Sequence, residues 1–256
     1  MKKLTLAVVI VVIVAGLGQR AVATPDSQQG TQAKPPMTVA ELEKAADAAR
    51  AQKDYDQAVK YFQEALRKDR KNAALYNKMG LAQLKLNDPR AARSSFEKST
   101  KYNSKYPDAF NNIGATYYLQ KNYGAAAKYF KKALALAENR AVFHVNLGAA
   151  WFGQNKLDQS IAEYARAVEL DPDVLNQNSP AGIAAQIASP EEQAKYSYML
   201  AKLYARRGDV DHCLQCLRKA KEEGYRSMAN VYREEEFSRL WQDQRLNQLV
   251  PPPPAR

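Results

Sequence analysis

The 256-residue chain is poor in the residues that staple small folds and build metal centres. It has two cysteines and two histidines, which exclude a disulfide-dense scaffold and a four-cysteine zinc module. Eleven glycines and twelve prolines are too few for collagen-like or Pro/Gly low-complexity architecture. No Gly-x-Gly-x-x-Gly, phosphate-loop, His-Glu-x-x-His or Gly-x-Ser-x-Gly motif occurs, so no catalytic constellation stands out and no cofactor is implied. The longest apolar run, Leu4 to Leu17, is about 14 residues, short of the ~20 that a spanning helix needs. Hydrophobic residues reach 46% and charged ones 25%, which suits a folded chain with an ordinary core. The formal charge is +11, a surplus open to nucleic acid, anionic surfaces or acidic proteins as partners.

That apolar run reads as an address. Lys2 and Lys3 precede it, and Ala21-Val22-Ala23 offers the small-x-small pattern of signal-peptide cleavage. The expectation is an exported chain, periplasmic first and secreted second, beginning at Thr24, with no transmembrane span after cleavage. Residues 24–38, with Pro25, Pro35 and Pro36, read as a disordered linker. The segment through Ala23 carries three basic residues and no acid, so its removal takes the charge to +8. Residues 39–140 carry +9, from 20 basic and 11 acidic residues, and residues 141–256 carry −1, from 14 and 15.

The rest of the chain has a period. Gly80, Gly114 and Gly148 are 34 residues apart, as are Phe62, Phe96, Phe130 and Tyr164, and also Ala58, Ala92, Ala126 and Ser160. Windows 39–72, 73–106, 107–140 and 141–174 follow without a gap. Each holds two runs with the three- and four-residue spacing of a helix face, separated by turn residues such as Asn87-Asp88-Pro89, Asn122-Tyr123-Gly124 and Asn155 to Asp158. The glycines permit close helix approach, and the aromatic column fills the space beside them. One helix pair cannot bury its apolar face, so the pairs must stack.

On these residues the chain resembles the tetratricopeptide repeat (TPR) family. Phe110-Asn111-Asn112-Ile113-Gly114-Ala115-Thr116-Tyr117 and His144 to Trp151 look like its first-helix signature, and Ala126 to Leu134 like its second. The closing proline of the motif survives only as Pro172, and the first window is degenerate. The resemblance implies an all-α, right-handed α-solenoid of about five helix–turn–helix repeats with a C-terminal capping helix. Residues 175–193 read as an inter-repeat loop, with Ser189 capping a new helix at Pro190, and residues 194–227 as a fifth repeat. Residues 228–250 resemble the capping segment of exported bacterial members of the family, and 251–256 a disordered Pro-rich tail.

The same resemblance implies a non-enzymatic scaffold or adaptor of the bacterial envelope. An extended protein or peptide partner would lie on the concave face made by first helices. Matching positions are Asn77, Leu81, Leu84, Asn111, Asn112, Tyr118, Asn146, Phe152, Tyr198, Lys202 and Arg206. An asparagine amide both donates and accepts, so it can pair with a peptide backbone without reading its sequence. Asn112 and Asn146 form a two-step ladder in one column. The apolar members either pack internally, meet the 175–189 loop or meet a ligand. Two alternatives stay open. Lys60, Arg67, Lys68, Arg93, Lys98, Lys128, Lys131 and Lys132 on second helices make a basic convex face suited to polyanions, although no aromatic platform favours nucleic acid. Cys213 and Cys216, near a helix start at Asp211, are either a redox or disulfide pair or, for Cys213, core packing in the small-residue column. The sequence leaves the partner, the pathway and the oligomeric state open.

Overall fold

The computed structural model describes residues 36–175 and 189–253. The expected signal segment, the linker to residue 35, residues 176–188 of the inter-repeat loop and the last three residues lie outside them. From Met37 onward the chain forms helical pairs: α1 (Val39–Ala51) with α2 (Tyr55–Lys68), α3 (Ala73–Lys85) with α4 (Pro89–Tyr102), α5 (Pro107–Leu119) with α6 (Tyr123–Leu136), and α7 (Ala141–Gly153) with α8 (Leu157–Leu170). Both members of each pair begin 34 residues after their counterparts. A fifth pair, α9 (Pro190–Arg207) and α10 (Val210–Glu222), follows, and no strand occurs among the described residues.

Each pair turns in the same way. The chain leaves the first helix through one left-handed residue, Lys53, Asn87, Lys121 or Asn155 with φ 58–62°, and in the fifth pair Gly208 at 75°. The next amide then reaches back five residues, as in Asp54 N to Ala49 O and Asp88 N to Gln83 O, which closes the helix end as a Schellman turn. That same residue caps the second helix. Asp54, Asp88, Asn122 and Asp209 each accept a backbone N–H three residues on, whereas Lys156 gives α8 no side-chain cap. The third turn therefore pivots on Lys121, and Tyr123-Gly124 already belongs to α6. Likewise α10 is capped by Asp209, not started by Asp211, whose carboxylate instead meets Arg245 at 2.8 Å. At α9, Ser189 does accept the Glu192 amide, so that helix begins four residues before the repeat frame.

The repeat columns form the core. Phe62, Phe96, Phe130 and Tyr164 are fully buried, with Ala58, Ala92, Ala126, Ser160 and Cys213 in the small column beside them. A Cβ on Gly80 would sit 2.5 Å from the Phe96 ring, and one on Gly114 2.6 Å from Phe130, so these glycines set the helix spacing. Ala201 takes the glycine slot of the fifth pair, and Leu217 takes the aromatic one. Beyond α10, two 3₁₀ turns (Met228–Tyr232 and Glu235–Leu240) and α11 (Gln244–Leu249) fold back on the last pair. They bury Val231, Phe237, Leu240 and Leu246 in the same core cluster as Tyr198, Leu203 and Leu217.

Candidate functional site

Successive first helices lie side by side, and α3, α5 and α7 are joined by amides. Asn112 Nδ2 donates to Asn77 Oδ1 at 2.9 Å, and Asn146 Nδ2 donates to Asn111 Oδ1 at 2.8 Å. Both bonds link residues 35 apart, so they run diagonally between the two asparagine columns. The expected ladder within one column is replaced by cross-pairs. Asn77, Asn111 and Asn146 are buried, and Asn112 is half-exposed. A buried amide without a partner costs about 1–3 kcal/mol, so the paired asparagines are first of all joints between repeats.

The apolar candidates pack internally. Leu81 and Leu84 lie against Phe96 and Ile113. Tyr118 is buried edge-on against Tyr123, and desolvation pushes its hydroxyl up to about 12. Phe152 meets Tyr196 edge-on. Tyr164, the aromatic-column member with a hydroxyl, meets Tyr196 edge-on with ring centroids 5.6 Å apart.

At the fifth pair the face is already occupied. Tyr198 stacks on Tyr225 with centroids 4.2 Å apart, and its hydroxyl donates to Glu234 at 3.0 Å. Lys202 lies 3.5 Å from Glu234 and 3.3 Å from Glu236, and Arg206 lies 2.6 Å from Glu236 and 3.4 Å from Asp158. Tyr198, Lys202 and Arg206 thus hold the chain's own capping segment instead of standing open to a partner. Burial pushes the Glu236 carboxyl up, but the Arg206 and Lys202 contacts outweigh it and hold the carboxyl at about 2. In the sequence, Glu234 and Glu236 belong to an acidic run with the look of a solvated one. Their i,i+2 spacing under two cations four residues apart was the signal available.

The basic candidates divide. Arg93 is half-buried, its guanidinium 4.0 Å from the Tyr117 ring centroid and its Nε donating to Thr116 at 3.0 Å. It locks α4 to α5 and is not a free outer cation. Arg67 and Lys98 flank a shallow cavity of about 420 Å³ beside Tyr76 and Met79, while Lys60 and Lys68 are simply exposed. Lys128, Lys131 and Lys132 line an open cavity of about 540 Å³ between α6 and α7. Trp151 and Lys156 share it, two residues the periodicity did not single out.

Cys213 is buried and Cys216 half-buried, both as free thiols. Burial pushes each up to about 12, far from the depressed values of redox thiols. His144 is held by Glu163 at 2.7 Å and the Glu138 carbonyl at 2.8 Å. Among the described residues no three His, Cys, Asp or Glu side chains converge as metal ligands, and no helix is long and apolar enough to cross a membrane.

Stacked helical pairs, identical turns and a shared glycine–aromatic joint define an α-solenoid of helix–turn–helix repeats. Tetratricopeptide-repeat family profiles match residues 46–87, 77–141 and 117–179, which places three overlapping matches on the first four pairs. The chain belongs to the tetratricopeptide repeat family. It is 22% identical over 213 residues to the Hsp70-Hsp90 organizing protein of Triticum aestivum, covering 82% of this chain and 35% of that protein. The chain therefore spans about a third of that relative. Among solved structures it is similar to MamA of Desulfovibrio magneticus RS-1, with TM-score 0.53, 22% identity and coverage of 72% and 94%. It is also similar to a thermophilic TPR protein of Thermus thermophilus, with TM-score 0.51, 18% identity and coverage of 77% and 96%. At these identities the likeness to the structures is one of fold.

Proposed function

We propose that the protein is a non-catalytic scaffold of the cell envelope that binds an extended segment of another protein along the α3–α5–α7 face. The observation that carries this reading is Asn112. It is half-exposed at the middle of that face and held in place by its bond to Asn77. That bond uses one of its two N–H groups, and its Oδ1 receives only the 3.5 Å contact from Asn111. A peptide group has both a donor and an acceptor to meet what remains. The Met1–Ala23 segment supports export and a periplasmic location, and the likeness to an Hsp70-Hsp90 organizing protein supports an adaptor role.

The test is affinity capture of the chain from its own envelope extract, comparing wild type with Asn112→Ala at low and physiological salt. Capture should fall with the substitution while helical circular dichroism and the urea midpoint stay the same. It should change little with salt. Equal capture by both proteins removes the groove reading, and a steep loss with salt moves binding to the basic face. Asn146→Ala is unsuited to this test, because its loss strands the buried Asn111 carbonyl.

A further inference from the structure

The geometry points to a second, independent binding site in the joint between α6 and α7, built to take a compact ligand with clustered phosphoryl groups. Lys128, Lys131 and Lys132 reach it from α6, and Trp151, Gln154 and Lys156 from the end of α7 and the turn that follows. The cavity of about 540 Å³ lies within the range of small-ligand sites. Lys131 Nζ and Lys156 Nζ each lie 4.7 Å from the Trp151 ring centroid, so two ammonium groups are positioned on one indole. The remainder of the wall is small, Gly124, Ala127 and Ala135, and admits a bulky anion without obstruction.

Cations without a carboxylate are common on this molecule, Lys60 and Lys68 among them, and Arg67, Arg70 and Lys98 line the smaller cavity without an acid; the α6–α7 cavity differs in holding two ammonium groups on one indole. None of the four cavity lysines has a carboxylate within 4.0 Å among the described residues, and no acid lines the cavity. Lys132 Nζ lies over Tyr129 at 5.0 Å and Phe110 at 5.8 Å, two rings outside the cavity lining, so Lys128, Lys131 and Lys156 supply its charge; three like charges around one space repel, and a ligand with several negative charges relieves that repulsion where a single charge does not. Lysine ammonium groups act as point charges without a fixed fork, so the ligand with the greatest density of negative charge is favoured, and a polyphosphate packs more charge into a given volume than a polycarboxylate. These lysines crowd one repeat joint, which favours a compact ligand over a long strand.

Trp151 reports on its own site, and Trp241→Phe leaves it the sole indole. Tripolyphosphate titrated into the full chain should give a saturable change in Trp151 fluorescence. Lys131→Gln with Lys156→Gln should weaken the midpoint at least about tenfold per lysine, the usual weight of a charge-assisted contact. Lys60→Gln with Lys68→Gln, on the exposed side of α2, should leave it unchanged. Calorimetry on the unsubstituted chain should give the same midpoint, which guards against damage from Trp241→Phe. Vesicles with phosphatidate headgroups, set against neutral phosphatidylcholine vesicles, distinguish a lipid source from a free polyphosphate. A saturable response to either phosphate probe supports the site. Citrate binding as tightly as tripolyphosphate, an equal loss in the α2 variant, response only to a single-stranded oligonucleotide, or no saturable response would each overturn it.

Discussion

Adding one methyl group at the glycine joint should separate the repeats by cost. In Gly80→Ala the new Cβ falls 2.5–2.8 Å from three atoms of the Phe96 ring, and in Gly114→Ala 2.6–3.1 Å from Phe130. In Gly148→Ala the nearest Tyr164 atoms are 3.1–3.2 Å away. Overpacking a tight core costs about 1–3 kcal/mol. Alanine in place of a mid-helix glycine returns about 1 kcal/mol of helix propensity. The net for Gly80 and Gly114 is therefore a loss of about 0–2 kcal/mol, because Phe96 and Phe130 are fully buried and have no open side to move toward. For Gly148 a shift of a few tenths of an ångström suffices, and the propensity gain leaves the substitution neutral or stabilising. The first pair sets a bound on relaxation. There Ala46 already occupies the glycine slot opposite Phe62, at the end of the stack, where only one neighbour resists widening. Urea denaturation followed by circular dichroism reads the order directly. Gly148→Ala as the worst of the three, or Gly80→Ala and Gly114→Ala both more stable than wild type, would refute the claim that ring-to-backbone contact sets the spacing.

Three further outcomes follow from particular contacts. Lys156→Asp should supply the missing cap of α8 and stabilise by about 1 kcal/mol, raising the melting temperature by about 2–4 °C, while abolishing any anion response at Trp151. Because Glu236 is held below its ordinary value of 4.5, at about 2, its pairing stabilises above pH 4.5 and is lost as pH falls toward 2. After allowance for solvent this is worth about 1 kcal/mol, so Glu236→Gln should flatten the acid limb of stability against pH, and an unchanged limb would count against the pairing. Cys213 and Cys216 should react with a disulfide reagent at pH 8 far more slowly in the native protein than in urea, since burial keeps both thiols protonated; immediate native reaction of either would contradict it.

Legibility in the sequence followed residue size and failed at residue partnership. The glycine, aromatic and small columns were visible because steric demand repeats with the fold, and the structure buries each of them. Left-handed turns were visible at Asn87, Asn155 and Gly208, whose types favour that conformation, and hidden at Lys53 and Lys121, whose types do not. The asparagine columns were visible, but their bonds step 35 residues, one off the period, so a column-by-column reading pairs the wrong amides. Arg93 shared its helix with outer cations, and only the packing of α5 against α4 shows it bound to Tyr117 and Thr116.

The occupied end of the first-helix face restricts what a partner can use. Lys202 and Arg206 are the cations of that face in the fifth pair, and both are spent on Glu234 and Glu236. Exchange of those carboxylates for a partner's would cost little by itself, since one half-buried ion pair replaces another. The segment that carries them is anchored by Phe237 and Leu240, both buried, and burial of each such side chain is worth about 1.5–3 kcal/mol. Trp241 adds a hydrogen bond from its indole to the Val231 carbonyl at 2.7 Å. A peptide that offers only carboxylates cannot supply what lifting this segment would lose. Under the proposed reading the fifth pair is closed to a partner and the open part of the face is the one where Asn112 stands, so a charge-reversing substitution at Arg206 should loosen the C-terminal cap without altering capture.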